Sequence, residues 1–348
     1  MYKLNEKIRE LTPYDPIKGD YKIRLDANES FLKIPEHIKT KIDNKLSDIS
    51  YNRYPDPLAT EISETFAKLF SLETKNIVAG NGSDELIALL FTGFVMKGDK
   101  FATFENDFSM YRFYGSLSEC EGILIPKNED FTIDVDKSIE MCKNNNVKLL
   151  IFSNPCNPTS LGLTKEKVLN IVSSLPETLV IADEAYMDFW NESIISEIEN
   201  YSNLLLLKTC SKAFGMAALR VGFAIGNETL IKAIKAIKSP YNLNSYSQAM
   251  ATVVLEHKEE IDSALDCILK SKEEMQIALK SLEQEDFVVL DSVTNFIVIK
   301  TSRAEEIFKY LLQNSIAVRC FKTFLRITAG TKEENAETIK CIKNFLDK

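Results

Sequence analysis

Short apolar runs alternate with helical patterns from about residue 76. The runs are NIVAG (76–80), KFATF (100–104), GILIP (122–126), KLLIF (148–152), TLVIAD (178–183), NLLLLK (203–208) and VGFAIG (221–226). Each is apolar throughout and too short for a helix, which predicts strands covered on both faces and hence a largely parallel sheet. Amphipathic stretches such as ELIALLFTGFVM (85–96) and KEKVLNIVSSL (165–175) lie between several of them and predict the covering helices. After about residue 240 the period changes. A long helical pattern from about Ser245 to Glu283 precedes the short runs DFVVL, NFIVIK, IAVRC and FLRIT, with helical stretches near 303–313 and 332–347. The pattern predicts an α/β chain in three parts: an N-terminal arm (1–30) that packs on the small domain, a large domain (31–240) with a mostly parallel central sheet, and a smaller α+β C-terminal domain (241–348).

Composition narrows the partners. The 348 residues carry 42 basic and 51 acidic side chains, a formal charge of −9, so the chain as a whole offers nucleic acid no electrostatic support. Seven cysteines without a C-x-x-C pair and only two histidines give neither a disulfide framework nor a zinc pattern. The first ten residues, MYKLNEKIRE, lack the apolar centre of a signal peptide, and no apolar run approaches the roughly 20 residues that span a bilayer. The expectation is a soluble protein of the reducing cytoplasm, with neither a membrane nor a metal in its function.

Ligands of parallel sheets gather at the carboxyl ends of the strands. The unusual residues fall there: Gly80 to Asp84, Asn154 to Thr159, Asp183 to Tyr186 and Thr209 to Lys212 each follow a strand candidate. Lys212 stands among Cys210, Ser211, Ala213, Phe214, Gly215 and Met216 rather than among charges. An amine with little water around it is the better nucleophile, suited to covalent capture of a carbonyl. A bound pyridoxal phosphate would need that lysine, an acid opposite its ring nitrogen, donors for its phenolic oxygen, a flat partner for its ring, and a helix N-terminus with an arginine for its phosphate. Asp183, Asn157 with Tyr186, Phe108, and Gly82-Ser83-Asp84 with Ser211 and Arg220 answer those needs in turn. Taken singly each has a commoner structural use, as a helix cap, a turn or a snorkelling side chain. Their succession after consecutive strands is what carries the reading. A dinucleotide site is the weaker alternative, because Gly80-Asn81-Gly82 lacks the third glycine of G-x-G-x-x-G.

On these residues the chain resembles the fold-type I pyridoxal-phosphate enzymes of the class II aminotransferase group, and among them the histidinol-phosphate aminotransferases. The resemblance spans nearly the whole length and rests on LTPYDP (11–16), LDANES (25–30), YNRYPDP (51–57), GNGSDE (80–85), SNPCNPTS (153–160), IADEAYMDF (181–189), TCSKAFGMAALRVGF (209–223) and LRITAGTKEEN (325–335). It implies that Lys212 carries the cofactor, that Asp183 meets the pyridinium, and that Asn157 and Tyr186 contact the phenolate. Gly82, Ser83, Asp84, Ser211 and Arg220 would lie at the phosphate end and Phe108 over the ring. Tyr14, Asn28, Arg319 and Arg326 would contact substrate. Tyr54, of RYPDP, would cross a homodimer interface to the neighbouring site. The implied reaction is transamination between an amino donor and a 2-oxo acid, with L-histidinol phosphate and 2-oxoglutarate as the pair. Arg326 would hold a phosphate in one half-reaction and a carboxylate in the other. Threonine-phosphate decarboxylase and aromatic amino-acid aminotransferase are the alternatives on the same apparatus. An inactive regulatory homologue would need a DNA-binding module, for which there is no room before Leu25. Three positions depart from the pattern: Phe108 where a tyrosine is common, Ser160 where N-P-T-G has its glycine, and only CFKTFL between Arg319 and Arg326, where the family often has a longer loop.

Overall fold

The computed structural model describes residues 2–9, 11–13 and 16–348. Its strands are β1 (Ile23–Arg24), β2 (Ile77–Gly80), β3 (Lys100–Phe104), β4 (Glu121–Ile125), β5 (Leu149–Ser153), β6 (Leu179–Asp183), β7 (Leu204–Thr209), β8 (Gly222–Gly226), β9 (Val288–Val289), β10 (Phe296–Lys300), β11 (Ile316–Ala317), β12 (Arg319–Phe321) and β13 (Phe324–Thr328). All seven apolar runs therefore become strands of one sheet, in the order β2-β8-β7-β6-β5-β3-β4. β3 to β7 pair parallel where they adjoin, and only β8 runs against its neighbours.

The doubled apolar pattern has its cause in the two layers that cover this sheet. Along β7, Leu204 and Leu206 enter one core with Phe66, Phe152 and Phe223, while Leu205 and Leu207 enter the opposite core with Leu86, Leu90 and Ile181. Each fully buried leucine contributes on the order of 1.5–3 kcal/mol. One charge interrupts the pattern: Lys208, buried on the first face, has Nζ 2.9 Å from Asp188 Oδ1 and 3.7 Å from Glu184 Oε2. Its partners make that burial tolerable.

A second sheet, β12-β13-β10-β9, is antiparallel and covered by helices Ala304–Gln313 and Lys332–Leu346. The second of these opens on a capping box between Thr331 and Glu334. From the N-terminal stretch, β1 pairs parallel with β11, and Ile23 and Leu25 join the core of this sheet. Helix Ser245–Leu255, which the sequence pattern groups with the C-terminal part, instead buries Ala251, Val253, Val254 and Leu255 in the large-sheet core. The following helix, Lys258–Lys280, runs from one core to the other, with Ile261 in the first and Met275 and Leu279 in the second. None of the helices is long and apolar enough to cross a membrane among the described residues.

Candidate active site

The sheet register brings the chemistry to one edge. Ser153 pairs with Asp183 across β5 and β6, Thr209 with Gly222 across β7 and β8, and Gly222 with Gly80 across β8 and β2. The loops that leave or enter this row carry nearly every candidate residue.

At the β2 end the chain turns through Gly82, with φ +82°, into helix Ser83–Phe94. A side chain at Gly82 would stand 2.6 Å from Arg220 Nη2, and one at Gly222 only 2.5 Å from the amide nitrogen of Ser83. The two glycines thus let a guanidinium and a strand start lie against the first turn of the helix, whose unpaired N–H groups favour an anion. Arg220, itself left-handed at φ +54°, donates to Ser211 Oγ at 3.1 Å and lies 3.8 Å from Asp84 Oδ2. Burial raises the Asp84 carboxyl, with Arg220 and Lys212 opposing. Its other oxygen, Oδ1, is enclosed without a hydrogen-bond partner among the described residues.

At the β6 end Asp183 is buried; its Oδ2 accepts from the Tyr111 hydroxyl at 2.8 Å and its Oδ1 from the amide of Ala185 at 3.1 Å. Desolvation pushes this carboxyl up to about 7 against those two hydrogen bonds, with Asp107 and Asp84 adding to the rise. Asp107 accepts from the amides of Phe108 and Ser153 and from Ser153 Oγ, and Ser153 Oγ accepts in turn from the Asn157 amide at 3.1 Å. Desolvation raises Asp107 too, with Lys127 as the main opposing charge.

Lys212 is half-buried after β7, and its Nζ donates to the Ala27 carbonyl at 2.8 Å and lies 5.9 Å from the centre of the Tyr186 ring. The Tyr186 hydroxyl accepts from Asn28 Nδ2 at 2.9 Å. Asn28 is buried at φ +55°, and its remaining polar atoms bond Thr328 and Asn295, so it ties the N-terminal stretch to the site.

Two cavities meet at Lys212. One, of about 210 Å³, is lined by Ser83, Asp84, Phe108, Asn157, Asp183, Tyr186, Ser211 and Arg220; the other, of about 280 Å³, by Asp26, Asn28, Asp107, Arg319 and Arg326. Phe108, Asn157, Tyr186 and Lys212 belong to both. The short CFKTFL connection is a tight hairpin in which Arg319 is the cross-strand partner of Arg326. Both arginines line the second cavity, where two guanidinium groups suit an anion. Arg326 also donates from Nη1 to Asn157 Oδ1 and from Nη2 to the Asp26 carbonyl at 2.6 Å, and lies over the Phe296 ring. Ser160 takes φ +64°, the conformation a glycine adopts without strain, and its Oγ bonds the Asp291 carbonyl.

Two expected residues stand apart. Tyr14 lies outside the described residues. Tyr54 lines neither cavity: it is 80% exposed and stacked on Tyr241 at 4.5 Å. Conversely, Tyr111 and Asp107 line the site although nothing in the sequence pattern marks them.

The first cavity fits pyridoxal phosphate: an amine at its seam, a glycine-lined anion cradle at one end, and at the other a buried carboxylate whose raised proton affinity a ring N–H⁺ would relieve. The comparisons agree. The family model for aminotransferases of class I and II matches residues 20–342. The histidinol-phosphate aminotransferase of Clostridium novyi (strain NT) is 41% identical over 97% of this chain and 95% of its own, and that of Pyrococcus furiosus 36% identical over 98% of each. Among solved structures, the histidinol-phosphate aminotransferase of Sinorhizobium meliloti in complex with pyridoxal-5'-phosphate superposes with a TM-score of 0.90 at 20% identity, covering 100% of this chain and 98% of its own, which establishes the fold. The chain belongs to the class I and II aminotransferase family, and within it to the histidinol-phosphate aminotransferases.

Proposed function

We propose that the chain is a pyridoxal-phosphate-dependent aminotransferase that converts L-histidinol phosphate and 2-oxoglutarate to imidazole-acetol phosphate and L-glutamate. The observation that carries this reading is the position of Lys212 at the seam of the two cavities, Asp183 lining one and the Arg319–Arg326 pair lining the other. When bound, pyridoxal phosphate supplies an electron-withdrawing ring that accepts the electrons left when the substrate Cα loses its proton.

The chain's own residues do the rest. Lys212 would hold the cofactor, and its Nζ, free once substrate is bound, would be the base that takes the proton from the substrate Cα and delivers it to the cofactor's carbonyl-derived carbon rather than back to Cα. Asp183 keeps a carboxylate beside the ring nitrogen. The N-terminus of helix Ser83–Phe94, with Ser211 and Arg220, would hold the cofactor phosphate, Phe108 would stack on the ring, and Asn157 and Tyr186 would bond its phenolic oxygen. Arg326 binds the substrate phosphate in one half-reaction and a 2-oxoglutarate carboxylate in the other, since a guanidinium fork accepts either anion. Its bonds to Asn157 and the Asp26 carbonyl fix it for that double use.

The working unit is a homodimer in which Tyr54 reaches the neighbour's cofactor phosphate. Tyr51, Tyr54, Leu58 and Tyr241 are large apolar side chains exposed on the single chain, which supports a partner surface there. A reducing cytoplasm suits a chain whose seven thiols are all unpaired.

The reading is tested by loading the purified protein with pyridoxal phosphate and treating it with borohydride. The protein should be yellow, bleach on reduction, and carry the added mass on the peptide that contains Lys212. Failure to take up the cofactor, or a label on another lysine, contradicts it.

A further inference from the structure

Asp183 faces an electrostatic problem that its own loop does not solve. Its carboxylate is buried, two further carboxyl groups, Asp107 and Asp84, act on it unfavourably, and among the described residues its one backbone donor is the amide of Ala185. The other donor comes from elsewhere in the chain. Helix Ser109–Leu117 begins just after Phe108 and places Tyr111 on its buried face, with no exposed surface, so that its hydroxyl donates to Asp183 Oδ2 at 2.8 Å. The Tyr111 ring also meets Phe108 edge-on, with centroids 5.5 Å apart and planes at 80°. Phe108, Asp183 and Tyr111 all line the cofactor cavity, and Tyr111 contacts both of the others.

Resting on the cofactor reading above, we infer that Tyr111 is a positioning residue that orients the Asp183 carboxylate toward the cofactor's ring nitrogen and couples it to the stacking residue Phe108. The hydroxyl fixes the carboxylate plane by occupying one oxygen, as the Ala185 amide occupies the other, so the lone pairs left over point into the cavity. The hydrogen bond also favours the ionised acid and opposes the desolvation that raises it. A carboxylate held anionic keeps the proton on the ring nitrogen. Without the hydroxyl the same proton moves toward the acid, and the ring withdraws electrons less well.

Tyr111→Phe removes the hydroxyl and keeps the ring and its contact with Phe108. Two readouts apart from activity test the role. The dissociation constant of pyridoxal phosphate from the Tyr111→Phe protein should rise about tenfold, the loss of one hydrogen bond to a charged group. The nitrogen-15 resonance of ring-labelled cofactor should move toward the position of neutral pyridine. In an Asp183→Asn background the same change should weaken cofactor binding less than twofold, because there is no carboxylate left to orient. An unchanged dissociation constant and resonance would overturn the inference while leaving the proposed function standing. An equal loss in the Asp183→Asn background would also overturn it, since the tyrosine would then act through packing alone. A native protein that takes up no pyridoxal phosphate would overturn the proposed function and this inference together.

Discussion

Replacing Asp183 by asparagine should stabilise the cofactor-free protein at neutral pH while weakening cofactor binding. The carboxyl is shifted from its ordinary 3.8 to about 7, with burial as the main cause. A group whose proton is held more tightly in the folded state costs nothing at low pH, where both states are protonated, and costs progressively more as pH climbs toward 7. At about 1.4 kcal/mol per unit the cost is about 4 kcal/mol at pH 8, and about 1.5 kcal/mol at pH 5. Asparagine carries no charge but can accept from only one of the Tyr111 hydroxyl and the Ala185 amide with its single oxygen, which costs about 1 kcal/mol. The net gain for the cofactor-free Asp183→Asn protein is therefore on the order of 3 kcal/mol at pH 8 and close to zero at pH 5. Urea unfolding of both proteins without cofactor, at the two pH values, reads this directly. With saturating pyridoxal phosphate the order should reverse at pH 8, because only the carboxylate rewards a ring N–H⁺. Equal stability of the two cofactor-free proteins at pH 8 would refute the claim that the acid is strained by burial.

Gly222→Ala should cost about 1–3 kcal/mol in urea unfolding and raise the cofactor dissociation constant at least tenfold, because its new Cβ falls 2.5 Å from the Ser83 nitrogen and pushes the helix start off the phosphate. Arg326→Gln should lower kcat/KM in both half-reactions by about 10²–10³, the effect of truncating a buried anion partner, whereas a loss confined to one half-reaction would refute its double use. Subunits carrying Lys212→Ala, inactive alone, should regain one native site per hybrid dimer when mixed with Tyr54→Ala subunits; absence of any recovery would refute the reach of Tyr54 across the interface.

How far the chain could be read in advance depended on the range over which each feature is encoded. Strands β2, β3 and β5 to β8 are covered on both faces, so their apolar runs declare themselves locally, whereas the edge strand β4 buries only Ile125 fully. Lys212 was visible because a single charge in a small, apolar segment breaks the local rule. Tyr111 was not, since its role arises when a helix after β3 meets the end of β6, 72 positions away. Asp107 is hidden for the same reason, with its partner Ser153 on β5. The short connection between Arg319 and Arg326 departs from the family's longer loop, and the fold turns it into a hairpin that sets Arg319 beside Arg326. Helix Ser245–Leu255 is apolar over most of its surface, so periodicity could not tell which core it would join.

The most direct test of the account is the reaction itself, measured with the protein loaded with pyridoxal phosphate. Histidinol phosphate and 2-oxoglutarate should yield glutamate, with no carbon dioxide from threonine phosphate in a parallel assay and little turnover of aromatic amino acids. Carbon dioxide release from threonine phosphate, or glutamate formed only from an aromatic donor, would contradict it.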